Sequence, residues 1–254
     1  MNKILTWAGV IYFFASSAVL FTIGWLICVA TCRFDKNRRF LHYYASAWGY
    51  HYLFINWGWK VRFEGRELID PSKTYVIVAN HQSLVDILAL YGLFKPYKFV
   101  SKESIFKVPF VGWNMIINQY VLIRRGDLKS IKDMMQTCRK WLKQGASILM
   151  FPEGTRSEDG EIHDFRDGSF RLAAECGVPV VPVVVEGTHD ILKKHGKNIN
   201  YRGEITIKVL PPVNPADFGN KSAAIRDHVR NQMIETLVEL RKKRSPALIG
   251  SAAK

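Results

Sequence analysis

The sequence predicts an α/β fold: a mostly parallel central sheet flanked by helices, preceded by an N-terminal membrane-associated helical segment. Three observations carry that prediction. Residues 4–32 hold no charged side chain, short β-branched runs alternate with helical patterns from residue 60 onward, and the polar residues able to do chemistry follow the ends of those runs. Strands alternating with helices build parallel sheets, and such sheets bind ligands at the carboxyl edge of their strands.

The uncharged run from Ile4 to Cys32 exceeds the roughly 20 residues that cross a bilayer core and is too long for a signal-peptide core. Lys3 precedes it, whereas Arg33, Lys36, Arg38 and Arg39 follow it, so the positive-inside rule puts the rest of the chain in the cytoplasm. Residues 40–59 are also uncharged and carry Tyr43, Tyr44, Trp48, Tyr50, Tyr52, Phe54, Trp57 and Trp59. Amphipathic rings settle at headgroup level, which predicts an interfacial helix. A buried aromatic core helix is the alternative, and a two-helix hairpin dipping into one leaflet is a third arrangement. The expected organisation is therefore an anchor and interfacial helix at 1–59, one domain at 60–244, and a frayed tail at 245–254.

Within the domain, strands are expected at Lys60–Glu64, Tyr75–Ala79, Lys98–Ser101, Tyr120–Ile123, Ser147–Phe151, Val180–Glu186 and Glu204–Leu210. Leu128, Ile131, Met135, Cys138 and Leu142 line one helical face that ends near Gly145. Ile225, Val229, Met233, Leu237 and Leu240 line another. The second helix carries Arg226, Arg230, Arg241, Lys242, Lys243 and Arg244, which reads as a solvated face, with contact to acidic lipid as the sharper option.

The formal net charge of +14 favours anionic surfaces, whether nucleic acid, acidic lipid or phosphorylated metabolites. No nucleic-acid module is recognisable, and the aromatics concentrate beside the apolar run, so lipid and phosphorylated substrates are the expected partners. Cys28, Cys32, Cys138 and Cys176 match neither a disulfide framework nor a zinc site, and no metal is expected.

The first block able to do chemistry is Asn80-His81-Gln82-Ser83-Leu84-Val85-Asp86, directly after a strand. An imidazole with a carboxylate nearby suits general-base activation of a hydroxyl, with Asp86 fixing the ring's tautomer. There is no Gly-x-Ser-x-Gly elbow, so the base is expected to act on a substrate hydroxyl directly. Ser83 and Asp86 also form a Ser-x-x-Asp capping box, and on this block alone both readings stand. The second block is Phe151-Pro152-Glu153-Gly154-Thr155-Arg156-Ser157, again after a strand. An arginine with hydroxyls and glycine amides suits a phosphate monoester. A type I turn explains Pro152 and Gly154 but not Arg156. Lys102 and Arg125 occupy comparable strand-end positions.

Taken in order, Asn-His-x-x-x-x-Asp, Val-Leu-Ile-Arg-Arg, Phe-Pro-Glu-Gly-Thr-Arg-Ser and Val-Val-Pro-Val-Val-Val resemble the four motifs of the glycerolipid acyltransferase family, in particular its 1-acylglycerol-3-phosphate branch. The resemblance covers about residues 60–215 and implies that family's fold. It implies His81 as base and Asp86 as its orienting partner, with Lys102, Arg125, Glu153, Gly154, Thr155 and Arg156 binding the acceptor's glycerol phosphate. Val180, Val181 and Pro182 match the fourth motif, near the acyl chain. The family's second motif usually has an acidic residue where this chain has Arg124, which bears on which head group is accepted.

What the resemblance implies is transfer of a fatty acyl group to the sn-2 hydroxyl of 1-acylglycerol-3-phosphate. It implies no bound cofactor, and acyl-CoA or acyl carrier protein as donor, the latter then being a partner alongside membrane lipid and the lysophospholipid. The expected location is the inner membrane, with the catalytic domain cytoplasmic. Another lyso-lipid acceptor such as lyso-ornithine lipid, and a non-catalytic lipid-binding protein, are the alternatives.

Overall fold

The computed structural model describes residues 3–196 and 198–244, so the expected tail at 245–254 lies outside the described residues. Seven strands form one sheet: β1 (Trp59–Glu64), β2 (Val76–Ala79), β3 (Tyr97–Lys102), β4 (Val121–Ile123), β5 (Ser147–Met150), β6 (Val180–Glu186) and β7 (Gly203–Val209). Every strand end falls within one residue of the sequence expectation. The strand order is β1-β7-β6-β2-β5-β3-β4, with β6 and β7 antiparallel and the other pairs parallel. The carboxyl ends of β2, β5, β3 and β4 therefore lie side by side, about 4.8 Å apart from one strand to the next.

Helices are α1 (Lys3–Thr31), α2 (Arg39–Ile55), α3 (Val85–Tyr91), α4 (Glu103–Phe106), α5 (Val111–Ile117), α6 (Leu128–Lys143), α7 (Gly168–Cys176), α8 (Thr188–Ile191) and α9 (Ser222–Lys243). Strand alternation divides the core into two layers. Ile77, Ala79, Val181 and Val185 face α2, α3 and α5, while Val76, Val78, Val180 and Val184 face α6, α7 and α9. Strands buried on both faces read in sequence as unbroken apolar runs, which is why β6 was legible.

Asp127 caps α6 by accepting the Ser130 amide at 3.0 Å, and Met134, Met135, Cys138 and Leu142 are buried. Leu128, expected on that face, is 83% exposed, because the first residue of the helix stands clear of the sheet. In α9 the five expected apolar residues are all buried. Its cations differ from the expected solvated face. Arg230 meets Asp164, Arg241 meets Glu161 and Glu186, and Arg244 meets Glu186 and Asp190, so the helix is clamped onto the loops that follow β5 and β6.

The aromatic run at 40–59 becomes α2 as far as Ile55, with Trp59 already in β1, and one face of the helix packs into the core. Leu41, Ala45, Trp48 and Leu53 are buried, and Gly49 lets the helix approach Tyr91, whose ring would lie 2.5 Å from an added Cβ. Phe40, Tyr43, Phe54 and Ile55 remain exposed, as does Trp57 just beyond the helix. Helix α1 lies antiparallel beside α2: Tyr12 bonds His51 at 2.8 Å, Ser17 bonds Tyr52 at 2.9 Å, and Tyr44 donates to the Leu20 carbonyl at 2.6 Å. Its segment Gly9–Thr31 is long and apolar enough to cross a membrane, and Ile11, Val19, Trp25, Leu26 and Val29 are exposed on it.

The corner between β6 and β7 needs a glycine. Gly187 has φ of 92°, and an added Cβ would stand 1.9 Å from the Glu204 carbonyl oxygen. Gly177 shares the positive φ, at 62°, with nothing within 4 Å. Gly187→Ala should therefore cost about 1–3 kcal/mol from backbone conformation alone, with the clash added. Thermal melting in detergent should show it clearly less stable than Gly177→Ala, and equal losses would contradict this reading of the corner.

Candidate active site

His81 lies two residues beyond the end of β2, where the chain leaves the sheet toward α3. The Asn80 amide side chain pins that exit to β6, donating to the Val185 carbonyl and accepting the Val185 amide, both at 2.8 Å. The His81 ring stacks on Phe151, with centroids 4.0 Å apart and planes 15° apart. His81 Nδ1 lies 2.7 Å from Asp86 Oδ2. That oxygen also accepts the amides of Gln82 at 2.7 Å and Ser83 at 2.8 Å, and Asp86 Oδ1 accepts the Thr188 hydroxyl.

These bonds assign the tautomer. Backbone amides can only donate, so Asp86 is an acceptor throughout and the shared proton sits on His81 Nδ1, which makes Nε2 the acceptor nitrogen of the neutral ring. Asp86 is fully buried, whereas His81 keeps 7% of its surface open. The Ser83 amide bond to Asp86 is also half of a capping box, and the Val85 amide reaches Ser83 Oγ at 3.3 Å. Helix-start chemistry and ring orientation are thus carried by one carboxylate.

The β5 exit makes the expected turn, with the Gly154 amide donating to the Phe151 carbonyl at 3.0 Å and Gly154 at φ of 73°. The Ser157 amide donates to the His81 carbonyl at 2.7 Å, so Arg156, one residue earlier, is held next to the histidine. Thr155 is exposed beside it. Glu153, expected to meet the acceptor, instead turns inward: its two oxygens accept the His81 amide at 2.9 Å and the His163 amide at 3.3 Å. Burial pushes its carboxyl above the usual range, opposed by those two amides. Its role here is to tie the β2 and β5 exits together.

Arg125, at the β4 exit, has its guanidinium pulled below the ordinary value, first by partial burial and then by Arg166 and Arg156. Those three cations therefore share one region of the carboxyl edge. Among the described residues none of the three forms a salt bridge, unlike Arg139, Arg226, Arg230, Arg241 and Arg244. Arg166 was not singled out in the sequence. It lies ten residues beyond Arg156 with no motif around it, and its only signal is structural: its Nε would stand 2.7 Å from a Cβ on Gly154, so the glycine makes room for it.

Arg124 takes a different course from its neighbour. It donates to Glu103 at 2.9 Å on the surface, so the doubled arginine does not add a second cation to the cluster. Lys102 is exposed at the end of β3, between the β5 and β4 exits. Val180, Val181 and Pro182 lie inside β6, in register with Val76, Ile77 and Val78 of β2 and fully enclosed by the two core layers. What they do directly is seat β6 against the strand that carries His81.

A mostly parallel sheet with a carboxylate-held histidine and unpaired arginines along its carboxyl edge has the makings of a group-transfer enzyme. The acyltransferase family model matches residues 60–186, and this chain belongs to the acyltransferase family. It is similar to the chloroplastic 1-acyl-sn-glycerol-3-phosphate acyltransferase BAT2 of Brassica napus, 37% identical over 80% of this chain and 58% of that protein. A 1-acyl-sn-glycerol-3-phosphate acyltransferase of Chlamydomonas reinhardtii is 38% identical over 99% of this chain and 74% of its own length. The crystal structure of the 1-acyl-sn-glycerophosphate (LPA) acyltransferase PlsC from Thermotoga maritima superposes with a TM-score of 0.77 at 27% identity, covering 96% of this chain and all of that one.

The inward position of Glu153 makes a direct prediction. Glu153→Gln sets an amide NH₂ against a backbone N–H and should lower stability by roughly 1–3 kcal/mol. An unchanged melting temperature would mean that the carboxylate is not committed to the His81 and His163 amides.

Proposed function

We propose that this chain transfers a fatty acyl group from an acyl thioester to the sn-2 hydroxyl of 1-acylglycerol-3-phosphate, giving phosphatidic acid. The observation that carries the reading is that an Asp86-held imidazole and Arg156 leave the sheet on exits joined by the Ser157 amide, while Arg156 shares its region with Arg125 and Arg166 and none of the three has a carboxylate of its own. The names of the similar proteins support the same acceptor.

In this reading Arg125, Arg156 and Arg166, with Lys102 at the neighbouring strand end, hold the acceptor's phosphate. His81 Nε2 takes the proton of the sn-2 hydroxyl as its oxygen attacks the thioester carbonyl. The tetrahedral intermediate then collapses, breaking the carbon–sulfur bond, and the departing thiolate takes the proton back from the imidazolium. Asp86 stabilises that imidazolium and keeps the ring from turning. No acyl-enzyme is required, since the base works on the substrate's own hydroxyl.

Anchoring fits the chemistry, because acceptor and product both live in the bilayer. The bonds from Tyr12, Ser17 and Leu20 to α2 tether α1 along the flank of the domain, which supports a hairpin seated in one leaflet over a helix standing clear of the protein. The cations after α1 support a cytoplasmic site on an inner membrane.

Purified protein in nanodiscs should acylate 1-acylglycerol-3-phosphate when assayed with acyl-CoA and acyl carrier protein donors against several lyso acceptors. His81→Ala should cut turnover by about 10²–10⁴-fold. Arg156→Ala should raise acceptor KM by the equivalent of roughly 1.5–3 kcal/mol. Transfer to another lyso-lipid alone would replace the acceptor assignment, and unchanged turnover in His81→Ala would remove the base. A rise confined to donor KM would move Arg156 to the thioester site.

A further inference from the structure

The amino edge of the sheet, at the opposite ends of the same strands, carries a second gathering of cations. A cavity of about 40 Å³ opens there between the α1–α2 connection and the starts of β3 and β5. One water needs roughly 10–15 Å³ on this measure, so the space suits a small polyatomic ion and not an acyl chain. Arg39 and Tyr43 line it from the exposed side, and His42, Lys95, Tyr97 and Lys98 are buried along it.

The buried groups leave donors unused. Among the described residues, the Tyr97 hydroxyl and His42 Nε2 have no hydrogen-bond partner. Tyr91 donates to the Tyr120 hydroxyl at 3.3 Å, and that hydroxyl meets His42 Nδ1 at 2.9 Å. This relay makes Nδ1 the acceptor and leaves a proton on Nε2. The Lys95 carbonyl is near enough to favour that proton but does not reach hydrogen-bond geometry. Lys98 Nζ donates only to the Asn118 carbonyl, at 2.7 Å, and rests 4.6 Å from the centre of the Trp141 ring. Lys95 spends its three protons on the carbonyls of Asp70, Pro71 and Lys73 and adds charge alone.

Asp35 near Lys98 and Asp70 near Lys95 offset part of this charge, but among the described residues neither forms a salt bridge with those lysines. Asp35 is committed to the amides of Arg39 at 2.6 Å and Phe40 at 2.9 Å, and Asp70 to Ser72. Burial pulls Lys98 down to about 7, opposed by Asp35 and helped by Arg38, and pulls Lys95 to about 8, helped by Arg39 and opposed by Asp70, so a bound anion would favour the charged form of both. The mouth lies directly after the apolar α1, where Phe34 and Phe40 are exposed edge to face.

We propose that this cavity is a second anion site that takes a phosphate group, held by Arg39 at the mouth and by Tyr97 and His42 inside, with Lys95 and Lys98 contributing charge. The phosphate is that of a phospholipid headgroup at the bilayer surface or a free phosphate ion, and the chemistry of recognition is the same.

The test is thermal melting of the full chain, in detergent with inorganic phosphate against chloride of equal ionic strength, and in phosphatidylcholine nanodiscs with and without phosphatidic acid. Arg156→Ala serves as background, so that binding at the carboxyl edge is weakened. A rise in melting temperature should persist in Arg156→Ala, and its midpoint concentration should move up roughly tenfold in Arg39→Gln and in Tyr97→Phe. Response to inorganic phosphate identifies the free ion as sufficient, and response to phosphatidic acid alone identifies the headgroup. Arg39 is exposed, so its variant carries the test if Tyr97→Phe does not fold. The proposal is overturned if neither probe raises the melting temperature above its control, or if Arg39→Gln and Tyr97→Phe leave the response unchanged.

Discussion

The Asp86 carboxylate is the junction on which the site depends. It receives the imidazole of His81, two amides from the turn into α3 and the hydroxyl of Thr188 from the far side of β6. A buried carboxylate is costly unless its lone pairs are filled, and here four donors fill them. Because the other three donors are two backbone amides of the turn after β2 and the hydroxyl of Thr188 after β6, the ring's orientation is set by the framework itself. The histidine has little freedom to turn: Asp86 holds one edge, Phe151 lies against one face, and Glu153 holds its backbone.

The fold separates two kinds of arginine. Arg139, Arg226, Arg230, Arg241 and Arg244 are matched to carboxylates and serve architecture, whereas Arg125, Arg156 and Arg166 are left with each other. Like charges held together at strand exits are an electrostatic demand for an anion, and the demand lies along the same edge of the sheet as His81. The chain spans 58% of the Brassica napus relative and 74% of the algal one, and the residues argued to do the chemistry all fall within residues 60–186, which the family model matches.

What the sequence made legible was local. The seven strands could be read because apolar runs bounded by polar turns leave few alternatives, and His81 with Asp86 could be read because five residues bridge one helical start. Thr188 stands 102 residues from Asp86, and nothing in its neighbourhood announces the bond. Arg166 is equally silent, since only the folded turn at Gly154 reveals why it lies where it does. Direction was the other hidden quantity. The sequence contains the carboxylate of Glu153 and the guanidinium of Arg124, but whether they face a cleft, a backbone amide or Glu103 is decided by packing. The aromatic run of α2 shows the same limit, for its rings split between core and surface according to which face meets α3.

The central claim is that His81 presents an unprotonated Nε2 because Asp86 holds the proton on Nδ1. Nitrogen-15 NMR of histidine-labelled protein in micelles at neutral pH, with the His81 signal assigned by its loss in His81→Gln, reads that tautomer directly. The account predicts a proton bonded to Nδ1 and a bare Nε2. A ring protonated on Nε2 with Nδ1 free would contradict it.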